Sequence, residues 1–91
     1  MSLLLVSYDL KVPGRDYAKL YETLKRAPAW WHHLESTWIL STSDSVSTWS
    51  DRIRATVDQN DFFMVVDITN KPHNGWLPKK AWDWITEHSR Y

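Results

Sequence analysis

The sequence predicts an α+β fold, a ferredoxin-like βαββαβ sandwich with an added C-terminal helix. Three observations carry that reading. Short apolar runs of strand length alternate with segments whose apolar residues recur at i, i+3 and i+4. One long aromatic and β-branched stretch stands between the two helical patterns and is best divided into two strands. A last amphipathic segment follows the final strand.

The elements follow in order. Leu3–Tyr8 (LLLVSY) is a continuous apolar run closed by Asp9, as in a central strand covered on both faces. Lys11-Val12-Pro13-Gly14 is a loop signal. Over Arg15–Ala27, Tyr17, Leu20, Tyr21 and Leu24 form one apolar helix stripe; Asp16 is placed to cap its start, Glu22 and Arg26 are spaced as an i, i+4 pair, and Pro28 ends it. Trp30–Thr42 reads as two short strands turning near Glu35, or as one long bent strand. Ser43–Asp58 is a second helix with Val46, Trp49, Ile53 and Val57 on one face and Ser43 or Ser45 as its cap. Gln59-Asn60-Asp61 is a turn, Phe62–Ile68 (FFMVVDI) a strand and Lys71–Gly75 a loop. Pro78–His88 is a third helix, with Leu77, Ala81, Trp84 and Ile85 on its apolar side and Trp82 off it. The chain is thus one expected domain over 1–91, with a core at 3–69 and a helical extension at 75–90. A 4-1-3-2 strand order would put Asp9 near Ser36-Thr37 and Asp61, with Asp67 at the far end of the sheet.

Composition narrows the function. Ninety-one residues with no cysteine exclude a disulfide framework and Cys-ligated metal centres. The apolar runs Leu3–Val6 and Phe62–Val66 are far short of the ~20 residues a membrane helix needs. Met1-Ser2 supplies no basic start for a signal peptide, so a cytoplasmic location is expected. The formal charge of zero conceals a pattern: net +3 over residues 11–33, −4 over 35–70 and +2 over 71–91. Seven tryptophans are more than a core of this size easily encloses, which points to some of them at an interface.

Tyr8-Asp9 at the end of the opening strand, the amphipathic first helix, the Glu35-Ser36-Thr37-Trp38 segment and the second helix leading into Phe62–Ile68 are similar to another group. Over residues 3–69 the chain resembles the small ferredoxin-like CRISPR-associated nucleases, the second of the two core spacer-adaptation proteins, and looks closest to their stand-alone SinR-like relatives. The resemblance implies a symmetric homodimer paired through the open face of the sheet. It implies a divalent metal, Mg²⁺ or Mn²⁺, held at the aspartate closing the first strand, here Asp9. It also implies activities that range from metal-dependent cleavage of RNA or DNA to a non-catalytic scaffold holding DNA for an integrase partner. The family's Ser-Val-Phe strand motif corresponds to Ser36-Thr37-Trp38. Where the family ends in a short strand reaching across its partner, this chain ends in the Trp-rich segment Gly75–Arg90.

The candidate residues follow. Asp9 is the expected catalytic and metal-binding carboxylate, since hard cations take carboxylate oxygen; the competing reading is a strand-end Asp that caps loop amides. Ser36 and Asp61 are auxiliary candidates, and Glu35 a further carboxylate. Arg15, Lys19 and Arg26 form a basic stripe with Glu22 on the first helix, suited to nucleic-acid phosphates or simply to solvent. His32-His33 would point to opposite faces of a strand and so would not chelate one ion. Trp30, Trp31, Trp38 and Trp82 are expected at a dimer or partner interface. The functions in view are a homodimeric metal-dependent endonuclease, a non-catalytic nucleic-acid-binding or protein-scaffolding dimer, and a small toxin-like ribonuclease.

Overall fold

The computed structural model describes residues 1–12 and 14–89; Pro13 of the expected first loop and Arg90 of the expected extension lie outside them. The elements are β1 (Ser2–Asp9), α1 (Ala18–Leu24), β2 (Ala29–Leu34), β3 (Thr37–Thr42), α2 (Val46–Arg54), β4 (Phe62–Asp67) and α3 (Lys79–His88). The sheet order is β2-β3-β1-β4, with each neighbouring pair antiparallel. This is the expected ferredoxin-like arrangement with a helix added at the C-terminal end. No helix among the described residues is long and apolar enough to cross a membrane.

The long aromatic stretch is two strands, turning at Glu35-Ser36, and not one bent strand. Its pairing shifts register between Trp31 and Leu34, which bulges β2 at the two histidines. His32 stacks on Trp38 at 4.0 Å and His33 meets Trp31 edge-on at 5.1 Å, one on each face of the sheet. Strand alternation thereby separates them, as expected.

Both early helices are shorter than their sequence patterns. In α1 the Asp16 carboxylate accepts from Ala18 N–H at 2.9 Å, so the chain ahead of the helix turns on Asp16 and the helix opens only after Tyr17. Arg26 and Ala27 donate to Thr23 and Leu24, three residues back, winding the helix down before Pro28. In α2, Ser45 is the cap of the two candidates: its hydroxyl accepts from Thr48 N–H at 3.1 Å.

One face of the sheet carries the main core. Leu4, Val6 and Tyr8 of β1 and Trp38 and Leu40 of β3 pack against Leu20 and Leu24 of α1 and Trp49 and Ile53 of α2. Two tryptophans fit there because their indole N–H groups have partners: Trp38 donates to the Tyr8 hydroxyl at 3.0 Å and Trp49 to the Thr42 hydroxyl at 3.0 Å. The opposite face is where the fold departs from a bare βαββαβ sandwich. There α3 seats Ala81 and Ile85 on Leu3, Trp31 and Ile39, and the Trp31 indole donates to the Ala81 carbonyl at 3.1 Å. The open face is therefore divided. Its β2–β3 half and Leu3 at the start of β1 lie under α3, while among the described residues no helix covers the rest of its β1–β4 half.

Candidate functional site

Asp9 closes β1 opposite Phe62 of β4. Leu3, which α3 covers, lies an even number of residues away, so period-2 alternation puts Asp9 on the open face with Leu5 and Ser7. Its carboxylate is ion-paired with Lys11 Nζ at 2.7 Å, and both side chains are largely exposed. Ser36 lies in the β2–β3 turn, and its carbonyl accepts from Tyr8 N–H at 3.1 Å. The topology thus brings Asp9, Ser36 and the start of β4 to one end of the sheet, as expected.

Asp61 reaches that end too, but its carboxylate is otherwise engaged. Lys11 N–H donates to one oxygen at 2.7 Å, Asp58 N–H to the other at 2.8 Å, and the Tyr17 hydroxyl lies 2.9 Å from both. Burial by itself would raise this carboxyl, yet the hydrogen bonds from Lys11, Asp58 and Tyr17 outweigh it and hold it below the usual carboxylate range. Burial, with the Asp61 bond behind it, pushes the Tyr17 hydroxyl upward. Asp61 ties together three segments: the loop after β1, the start of α1 and the turn before β4. Asp67 sits opposite Leu4, remote from Asp9 along the strand, and its carboxyl is lowered by hydrogen bonds from the Thr69 side chain and backbone.

The described residues of the chain do not gather a divalent-cation site at Asp9. Among the described residues no three His, Asp or Glu side chains come together as a cation site, and the nearest charged group to Asp9 is the Lys11 ammonium.

The basic residues do not form the expected stripe. Arg15 precedes α1, lies 3.7 Å from Asp58 and covers the Tyr17 ring at 5.5 Å. Lys19 is exposed on α1, and Arg26, past its end, borders a cleft with Arg52 and Asp44 of the α2 region. The helix spans too few residues to align all three.

The tryptophans divide as well. Trp38 and Trp31 are 1% and 2% exposed, so they stand inside the protomer and not on a surface a second chain can touch. The reason is their place on central β3 and beneath α3. Trp30 remains 40% exposed, with the Lys25 ammonium 5.4 Å from its ring. Trp82 is half-buried on α3.

Sequence reasoning missed the row on β4. Phe62, Met64 and Val66 are 66%, 60% and 37% exposed, and alternation sets them on the same face as Asp9. A continuous apolar run such as FFMVV does not reveal which face is covered. No family model matches the chain, and no curated protein or solved structure matches it either.

Proposed function

We propose that the protein works as a scaffolding homodimer that pairs through the β1–β4 half of its open sheet face. The row Phe62, Met64 and Val66, exposed beside Leu5, carries this reading. Large apolar side chains grouped on one face of an edge strand are costly in water and mark interaction surfaces. A two-fold interface is self-complementary, so a single such row supplies both sides. The test needs no ligand: mass by light scattering and analytical ultracentrifugation over a concentration series. The wild type is expected as a dimer, and Phe62→Lys or Met64→Lys as a folded monomer. A wild type that stays monomeric at high micromolar concentration sinks the reading.

A second reading adds metal-dependent cleavage of RNA or DNA, with Asp9 from each subunit supplying carboxylate to Mg²⁺ or Mn²⁺. The exposure of Asp9 on that same face favours it. Incubation with RNA and duplex DNA, with and without the metals, tests it. Cleavage must vanish in Asp9→Ala, and cleavage that persists there belongs to another site or a contaminant.

A further inference from the structure

The segment that sets this chain apart from a bare ferredoxin-like fold also builds a pocket. Between α3, the loop leading into it and the open face of the sheet lies an apolar space of about 280 Å³. Its floor is Leu3, Leu5, Trp31 and Ile39 of the sheet, and its helical wall is Trp82 and Ile85. Leu77 and the loop residues Asn70, His73 and Asn74 form the third side. The space is a concave site with three walls, just below the ~300–1,000 Å³ common for ligand pockets, which limits an occupant to a small molecule.

The lining dictates the chemistry of an occupant. Among the described residues that border the pocket, none is Asp, Glu, Lys or Arg, so nothing there compensates the desolvation of an ionic ligand. Phosphates, nucleotides and carboxylates are disfavoured for that reason. The half-buried Trp82 indole on the helical wall favours an aromatic body. The polar groups collect on the loop. His73 Nδ1 lies 2.9 Å from the Lys71 carbonyl, which can only accept, so Nδ1–H donates there, and the tautomer this selects leaves the lone pair on Nε2. The same ring stacks on Trp82 at 6.1 Å, which fixes its orientation at the rim. We infer that this pocket binds a neutral, one- or two-ring aromatic molecule carrying a single O–H or N–H donor, with the rings against Leu5 and Trp82 above the buried Trp31 and the donor toward His73. The site lies under α3 and meets the proposed pairing surface at Leu5, which stands opposite Val66.

Indole is the probe, titrated into ¹⁵N-labelled protein while the tryptophan indole N–H signals are followed. The Trp31 and Trp82 signals are expected to shift and saturate with a Kd on the order of 1 mM or tighter, while those of Trp38 and Trp49, on the other face, stay in place. Benzoate, of similar size but charged, should bind at least about tenfold more weakly. Leu5→Trp should fill the pocket and abolish the shifts. Leu34→Trp, at an exposed position on the rim, serves the same end if Leu5→Trp does not fold. His73→Leu should weaken indole about fivefold to tenfold with the spectrum otherwise unchanged. The inference is overturned by shifts that do not saturate, by equal movement of all the tryptophan signals, by benzoate binding as tightly as indole, or by undiminished binding in a folded pocket-filling variant. Indole binding that appears only on dilution would mean that a second copy fills the pocket, and that also overturns it.

Discussion

Replacing Asp61 by Asn separates a carboxylate that holds the fold from one that does chemistry. Both oxygens of Asp61 accept from backbone: Lys11 N–H on one at 2.7 Å, Asp58 N–H on the other at 2.8 Å. Asn conserves the volume but exchanges one acceptor for an NH₂ group. Whichever way the amide turns, one backbone N–H then faces a donor. A hydrogen bond to a charged acceptor contributes about 1.5–3 kcal/mol, and the Asn variant loses one, so a destabilisation of about 1.5–3 kcal/mol is expected at neutral pH. Asp61→Ala removes both bonds and should cost more, about 3–5 kcal/mol. Urea unfolding reads this directly, because a slope of about 1–3 kcal/mol per molar turns the Asn loss into a midpoint shift of about 1 M. The sign of the pH dependence follows from the lowered carboxyl. A depressed folded-state pKa gives stability that is present above the unfolded value of about 3.9 and is lost as pH falls through the folded value. The gap between wild type and Asp61→Asn should therefore narrow as pH drops below about 4. A gap under about 0.5 kcal/mol at neutral pH, or one that stays constant into acid, would refute the argument. A carboxylate placed for catalysis behaves the other way, since its neutral replacement is commonly tolerated or stabilising.

Other outcomes follow from the same contacts. Ser45→Ala should destabilise by about 1 kcal/mol through loss of the α2 cap, measured by thermal or urea unfolding. Trp38→Phe removes the indole donor to the Tyr8 hydroxyl and leaves space in the core, so a loss of about 2–4 kcal/mol is expected; a loss below about 1 kcal/mol would contradict the packing. Burial raises the Tyr8 hydroxyl, so its contribution is intact below the unfolded pKa of about 10 and falls away as pH rises through the folded value; Tyr8→Phe should blunt the alkaline loss of stability. Trp76, 99% exposed, should be replaceable by Ala within about 0.5 kcal/mol by the same unfolding assay.

Much of the fold is legible locally. The stripe Tyr17, Leu20, Leu24 and the stripe Trp49, Ile53 face the core because an apolar repeat near the helical period already defines a face. The turn at Glu35-Ser36 carries no Gly or Pro, so only the β2–β3 pairing settles that two strands are present. Helix ends are less legible. Asp16 and the three-residue-back bonds of Arg26 and Ala27 shorten α1, and with it the basic stripe of Arg15, Lys19 and Arg26 breaks up. For the site, sequence spacing correctly brought Asp9, Ser36 and Asp61 to one end of the sheet. It did not distinguish an exposed carboxylate from one bonded to two backbone N–H groups fifty and three residues away.

The sequence by itself determined the order of strands and helices and the inward face of the first two helices, because periodicity and capping act over a few residues. Only the tertiary structure decided that α3 crosses to the opposite face of the sheet. That placement encloses Trp31, leaves Phe62, Met64 and Val66 in water and opens a pocket before His73. An apolar stripe states that a face must be buried, not against which surface. Here the choice rests on a long-range fit, the Ala81 and Ile85 side chains on Leu3 and Ile39 with the Trp31 indole bonded to the Ala81 carbonyl.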